Sequence, residues 1–340
     1  MGGQGINTDA RYMAWLLDYL ADLGMDAAAL ARAHGIRVDQ LHRPETRISE
    51  ASHHGVLRDA QASFPGRSLG LQLGLHRSIA TLDQLAYLMM SSATLRESIA
   101  HGLRFQNYPG RFSGFQLVTA FSEIEGQGCY QIHAHDSLGD LRLLVVEELL
   151  AAIVTTSRWV LGRALPVTAL KLDYPAPAHH AEYAAVFNAP VQFDSAAIQL
   201  FFAADILDQP LPHASPQSAA LYARLCEETS ISRSRGDMAW RVWQIIVENP
   251  AEPPGLEECA ALLHCSVRTL SRKLQAQGWQ YQHLVDQVRE IHARRYLSHP
   301  RLSITHIAHL LGYADSSGFH RAFKKWTGLS PSEFRARLFA

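Results

Sequence analysis

Leu256-Glu-Glu-Cys-Ala260-Ala-Leu-Leu263-His-Cys-Ser266-Val-Arg268-Thr-Leu270-Ser-Arg272-Lys-Leu274 and Ile304-Thr-His-Ile-Ala308-His-Leu-Leu311-Gly312-Tyr-Ala-Asp315-Ser-Ser-Gly-Phe319-His-Arg321-Ala-Phe323-Lys-Lys325-Trp326 are two copies of one pattern. Each begins with a short apolar helix in which a small residue, Ala260 or Ala308, permits close packing and a leucine, Leu263 or Leu311, closes the stripe. Each then breaks and restarts. Ser266 is the expected N-cap of one second helix, and Asp315 or Ser316 that of the other, after a turn at Gly312. The apolar pairs Leu270/Leu274 and Phe319/Phe323 lie four apart, which buries one face and turns Arg268, Arg272 and Arg321 outward. This is the grammar of a helix-turn-helix, written twice.

The copies are offset by 48 positions from Ala260 to Ala308 and by 49 from Arg272 to Arg321. The segment between them reads as one helix over 281–298, with Leu284, Val288, Ile291 and Leu297 as its buried stripe. Two lobes on one helix can present their second helices to successive major-groove segments, about 34 Å apart on one face of a duplex. An outward arginine forks onto a guanine edge or a phosphate. The expected base-facing residues are Arg268, Ser271, Arg272, Ser317, His320 and Arg321. Arg294, Arg295, Lys324, Lys325 and Ser330 are the expected phosphate contacts. Gly318 has no side chain to offer a base and costs its helix about 1 kcal/mol relative to alanine. The first lobe is therefore expected to be the better sequence reader.

The run from Ser303 to Arg335, including Gly312, Phe319, Gly328-Leu-Ser-Pro331 and Phe334, closely resembles the C-terminal signature of AraC/XylS-type transcription regulators. The N-terminal part resembles the arabinose-binding-type regulatory domain of a subset of that family, which includes ornithine-utilisation and virulence regulators. That likeness rests on Leu20-Ala-Asp-Leu-Gly-Met-Asp26, Gly70-Leu-Gln-Leu-Gly74, Leu88-Met-Met-Ser-Ser-Ala-Thr-Leu-Arg96-Glu97 and Asp173-Tyr-Pro-Ala-Pro177. The resemblance implies a regulator, more often an activator, with double-stranded DNA, a small-molecule effector, RNA polymerase and a second copy of the chain as partners.

Charge is divided in the same way. From Leu256 onward there are twelve Lys/Arg and six Asp/Glu, a net of +6, against nineteen and twenty-six before it, a net of −7. A basic module joined to an acidic one is drawn to phosphate at one end only. The four cysteines form no CxxC pair, which argues against a disulfide framework or a structural zinc site and for a reduced, cytoplasmic setting. There is no secretion signal and no apolar run of membrane length, so no membrane partner is expected.

The elements before the repeats predict an α+β regulatory domain over 9–211, with helices packed on a mostly antiparallel sheet. Helices are expected at 11–23, 27–34, 50–63, 84–91, from 95, and at 141–161 and 182–187. Strands are expected at 115–124, 129–135, 167–174, 191–193 and 198–202, the first two joined as a hairpin through 125–128. A connecting helix at 215–229 and a linker at 230–236 complete a 212–236 junction, and an all-α double helix-turn-helix domain fills 237–340, with its units at 256–275 and 304–326. Among the aromatic residues, Phe105, Tyr108, Phe112, Phe115, Tyr130 and Trp159 are candidates for an effector pocket.

No cofactor, metal or catalytic residue is expected. Cys129, His133 and His135 share one strand face, but they stretch over about 20 Å at 3.3 Å per residue, too far for one ion. His53-His54 and His179-His180 read as surface residues, and Glu147-Glu148 and Glu227-Glu228 as solvated charge on amphipathic helices. There is no G-x-S-x-G, P-loop or dinucleotide fingerprint. Two alternatives stay open: control by redox chemistry at Cys259 or Cys265 or by dimerisation without an effector, and an enzymatic N-terminal domain fused to a DNA anchor.

Overall fold

A computed structural model of the chain describes residues 7–43, 46–105, 117–234 and 238–338. Two units separate, Ile6–Ser232 and Arg233–Ala340. In the first, β1 (Asn7–Asp9) pairs antiparallel with β2 (Arg47–Ser49). Between them lie α1 (Ala10–Asp22) and α2 (Ala27–Ala33), and α3 (Glu50–Ala62) follows. Met13, Leu16, Leu17 and Leu20 recur on one side of α1 and are all buried. Burial of each such side chain is worth about 1.5–3 kcal/mol. Asp26, Ser49 and Thr94 cap α2, α3 and a later helix by accepting from backbone N–H groups.

Next come α4 (Leu69–Leu75), α5 (Gln84–Ser91) and α6 (Leu95–Arg104), then β3 (Leu117–Ile124), β4 (Gln127–Ala134) and the long α7 (Arg142–Leu161). β5 (Val167–Lys171), α8 (Ala181–Phe187), β6 (Val191–Gln192) and β7 (Ile198–Ala203) complete a five-stranded sheet of order β3-β4-β7-β5-β6. Its pairings are antiparallel except β5 with β6, which the α8 crossover makes parallel. The expected α+β architecture is what the chain forms. The hairpin is tighter than expected. Ile124 pairs with Gln127, and Glu125 and Gly126 both take positive φ, so the turn has two residues and Gln127 and Gly128 join the strand.

α4 was not anticipated, because Gly70 and Gly74 weaken a helical reading. The tertiary contact explains them. A Cβ on Gly70 would lie 2.3 Å from the Leu144 carbonyl oxygen, and one on Gly74 2.4 Å from that of Glu148. The two glycines thus let α4 lie directly on the backbone of α7.

α7 is not the amphipathic surface helix expected. α4, α8 and β4 enclose it, and Glu147 and Glu148 are 2% and 0% exposed. Glu148 accepts from the Tyr12 hydroxyl and pairs with Arg77 at 3.3 Å. Glu147 accepts from Ser68 at 2.6 Å and Tyr183 at 2.5 Å, and meets His179 Nε2 at 2.6 Å. His179 is therefore tied into the interior, and the Glu147 carboxylate holds its imidazole above the usual histidine range. His53 is buried too, its ring edge-on to Tyr12, and desolvation pushes it down to about 3. Both histidines depart from the surface placement expected of them. Glu227 and Glu228 are exposed.

α9 (Pro216–Ser234) runs five residues beyond the expected connecting helix, so residues 230–234 of the expected linker are helical. The second unit is all-α: α10 (Met238–Glu248), which the motif reading passed over, α11 (Leu256–Leu262), α12 (Val267–Ala276), α13 (Tyr281–Leu297), α14 (Ile304–Leu310), α15 (Ser316–Thr327) and α16 (Pro331–Leu338). Trp240, Val242, Trp243 and Ile246 bury one side of α10, which packs on α12 and α13. Leu284, Val288 and Leu297 of α13 are buried, while Ile291 is only half-buried. Among the described residues no helix is long and apolar enough to cross a membrane, and no group of three metal-ligating side chains forms.

Candidate functional site

In the first helix-turn-helix, the Ser266 hydroxyl accepts from the Thr269 N–H and starts α12. Leu270 and Leu274 are 0% and 1% exposed, so the opposite face carries Arg268 and Arg272 into solvent. Among the described residues neither arginine is engaged in an ion pair. Ser271 is half-buried beside them. Lys273, which was not singled out, is exposed on the same helix. The apolar four-residue spacing that placed Arg272 would have placed it as well.

The second unit repeats the construction. Asp315 caps α15 by accepting from the Gly318 N–H at 2.8 Å, so Asp315 rather than Ser316 is the cap. Phe319 and Phe323 are fully buried and meet at 5.6 Å between ring centroids. Ser317, Arg321, Lys324 and Lys325 are exposed, and His320 is half-buried. The turn before α15 needs glycine twice over. Gly312 has φ +78°, and a Cβ there would come within 1.8 Å of the Ala251 carbonyl oxygen. Arg289 locks the same region from α13, donating to the carbonyls of Pro250 and Ala251 with its guanidinium over the Tyr313 ring.

The expected phosphate set does not share one environment. Arg295 is half-exposed and lies against Tyr296. Arg294 instead donates to Glu290 and covers the Phe334 ring, which commits its guanidinium to the seam between α13 and α16. The Ser330 hydroxyl caps α16 by accepting from the Glu333 N–H, while Glu333 accepts from the Ser330 N–H.

In the N-terminal unit a cavity of about 120 Å³ opens between α6, α7 and the β3–β4 hairpin. Leu149, Ala152, Ile153 and Thr156 face it from α7 at helical spacing, and Ile99 and Leu103 do so from α6. Leu117 and Thr119, alternate residues of β3, form the third wall with Tyr130. Of the expected pocket residues, Tyr130 lines the cavity. Phe105 is buried elsewhere, with Leu85, Leu88 and Cys226, and Trp159 is half-buried outside the lining. Tyr108, Phe112 and Phe115 lie outside the described residues. Tyr130 is the one aromatic side chain among the described lining residues. The i, i+3, i+4 spacing on α6 and α7 was the available signal, and it is also what any core helix shows.

Arg77, Thr156 and Ser157 also reach the cavity, and none of them was anticipated. Arg77 is 5% exposed and paired with Glu148, whose burial pushes its carboxyl up to about 7. Cys129, Cys226 and Cys259 are buried and burial raises all three thiols, while Cys265 is half-buried.

Comparison with known proteins joins the two units. Residues 24–211 match the family described as the arabinose-binding domain of AraC transcription regulator, N-terminal, and residues 259–337 match a helix-turn-helix domain family. The chain is 32% identical over 328 residues to the ornithine utilization regulator of Pseudomonas aeruginosa, covering 95% of each protein. It is 23% identical over 341 residues to the transcriptional regulator VirS of Mycobacterium tuberculosis, covering 94% of this chain and 93% of that one. Among solved structures, the transcriptional regulator CdpR of Pseudomonas aeruginosa aligns with a TM-score of 0.44 at 23% identity, over 91% of this chain and 96% of that one. The chain belongs to the AraC family of DNA-binding transcription regulators and carries an arabinose-binding-type ligand domain ahead of its helix-turn-helix domain.

Proposed function

We propose that this regulator activates transcription when a small effector occupies the cavity between α6, α7 and the β3–β4 hairpin. In this reading α12 and α15 enter successive major-groove segments of one duplex. Arg268, Ser271 and Arg272 read bases from the first helix, and Ser317, His320 and Arg321 meet base edges or the groove wall from the second. Arg295, Lys324 and Lys325 hold phosphates. Ser330 contributes through the start of α16, and Arg294 acts by bracing α13. RNA polymerase and a second copy of the chain are the protein partners this role calls for, and the cytoplasm is its setting.

One observation carries the reading: in each repeat a buried apolar pair, Leu270/Leu274 or Phe319/Phe323, leaves its arginines exposed on the opposite face. A guanidinium so placed pairs with guanine O6 and N7 at a worth of about 1–3 kcal/mol of discrimination. Effector binding acts by shifting the population between states that engage promoter DNA differently.

Selection of duplexes from a random pool by the full chain tests the DNA assignment. The expected product is a site with two contacted segments about one helical turn apart, roughly 10 base pairs. Recovery of sequences no different from the input pool would overturn it. Transcription from a promoter bearing that site, with RNA polymerase added, should rise with the protein. A fall would make the chain a repressor.

A further inference from the structure

The lining of the cavity says which class of effector it takes, an inference that rests on the effector assignment just made. Its body is aliphatic: Ile99, Leu103, Leu117, Leu149 and Ile153 present only hydrocarbon. Its polar groups are the hydroxyls of Thr119, Tyr130, Thr156 and Ser157 and the guanidinium of Arg77, and no carboxylate stands among the described lining residues. An ammonium group entering this space meets no countercharge among the described lining residues, and an unpaired buried charge is strongly disfavoured. An anion meets a cation already fixed in place.

Arg77 is held on several sides. Its Nε donates to Thr81 Oγ1 at 3.2 Å, its Nη1 to Glu148 Oε1 at 3.3 Å, and its guanidinium carbon sits 5.3 Å from the centroid of the Tyr12 ring. A planar fork so positioned loses little freedom when a second carboxylate approaches. Size sets the other bound. A cavity of about 150 Å³ holds benzene, so one of about 120 Å³ suits a smaller aliphatic body, roughly five carbons beyond the carboxylate.

We propose that the effector is a short-chain monocarboxylate, with its hydrocarbon between α6 and α7 and its carboxylate on Arg77, and that amine-bearing molecules are excluded.

The proposal carries a proton with it. Two carboxylates on one buried guanidinium leave one negative charge in excess, so binding protonates Glu148. The ionisable groups set against Glu148 are Tyr12 of α1 and Arg77, while its neighbour Glu147 turns toward Ser68, His179 and Tyr183. Burial already pushes Glu148 up to about 7. Above that pH, affinity for the carboxylate should fall about tenfold per pH unit, and below it the dependence should flatten.

Calorimetric titration of the full chain with sodium hexanoate, hexan-1-ol and hexylamine, repeated between pH 6.5 and 8.5, tests this. Hexanoate should bind with proton uptake at the upper pH, and hexylamine should not bind. Arg77→Met should weaken hexanoate at least about tenfold and spare hexan-1-ol, while Ile153→Trp should abolish both by filling the space. If Arg77→Met fails to fold, the ranking of the three probes and the pH slope on the unaltered chain decide. Hexylamine binding as tightly as hexanoate, or no hexanoate binding at all, overturns the carboxylate class. So does hexanoate binding without proton uptake. Hexanoate binding that survives Ile153→Trp overturns the cavity assignment itself.

Discussion

Arg294 donates from both Nε and Nη2 to a single oxygen of Glu290, one turn back along α13, at 3.0 and 2.8 Å. Its guanidinium carbon lies 5.1 Å from the centroid of the Phe334 ring. One side chain thereby neutralises a carboxylate that is 9% exposed and clasps α16 to α13. Arg294→Ala should cost the C-terminal unit roughly 2 kcal/mol in urea unfolding, with the salt dependence of DNA binding unchanged. A shallower salt slope at full stability would return Arg294 to the phosphate contacts.

Arg272 and Lys325 should separate reading from gripping. If Arg272 reads a base as proposed, Arg272→Ala should lose about 1–3 kcal/mol on the selected site and little on random duplex, because a guanidinium forked onto a guanine edge discriminates between bases. Lys325→Ala should weaken both alike and reduce the slope of log K against log salt by about one. Fluorescence anisotropy at several salt concentrations measures all four quantities. Equal losses on both duplexes for Arg272→Ala would end its base-reading assignment.

Gly312 and Gly318, on either side of the Asp315 cap, should respond in opposite directions to the same substitution. Gly312→Ala meets the Ala251 carbonyl at 1.8 Å from a left-handed backbone, so the turn must move and the unit should lose at least about 2 kcal/mol. Gly318 has ordinary contact distance to spare, its nearest neighbours being Tyr313 at 3.4 Å and Asp315 at 3.7 Å. Gly318→Ala should therefore gain up to about 1 kcal/mol through helix propensity. Thermal melts of the two variants give the comparison, and a lowered melting temperature for Gly318→Ala would contradict it.

Acid stability of the N-terminal unit should reflect two buried groups pulling against each other. His53 is pushed down to about 3, so below its unfolded value the unfolded chain takes a proton that the folded one refuses. Its contribution is present above about pH 6.5 and lost as pH falls, reaching about 3 kcal/mol by pH 4.5. Glu148 works the other way. Raised to about 7, it binds its proton in the folded state first, so its effect favours folding as pH falls toward the unfolded carboxyl value. His53→Phe should remove the first slope and leave stability rising on acidification from pH 7 to 5, read from denaturant midpoints. An unchanged pH profile would mean that His53 is protonated in the folded protein.

Much of the C-terminal unit was legible because its signals are local. A serine or aspartate whose side chain caps its own helix, a leucine or phenylalanine pair one turn apart and a glycine turn act within a few residues of themselves, so Ser266, Leu270 and Phe319 could be placed by spacing alone and the second cap narrowed to Asp315 or Ser316. The same reading sent Arg294 to phosphate because charge on a helix says nothing about which neighbouring helix covers it. Phe334, forty residues later, decides that.

The linear order of residues was sufficient for the duplicated helical unit, its outward arginines and the α+β character of what precedes it, since those follow from periodicity, capping and turn chemistry within short windows. Folding in three dimensions decided what α7 is. Glu148 lies inside because Tyr12, 136 positions away, and Arg77, 71 away, close over it. The cavity arises where α6, α7 and the β3–β4 hairpin face one another without filling the space between them. Burial and emptiness belong to the packing of distant segments, and hydrophobic periodicity records only that a face is apolar, not whether protein or a ligand meets it.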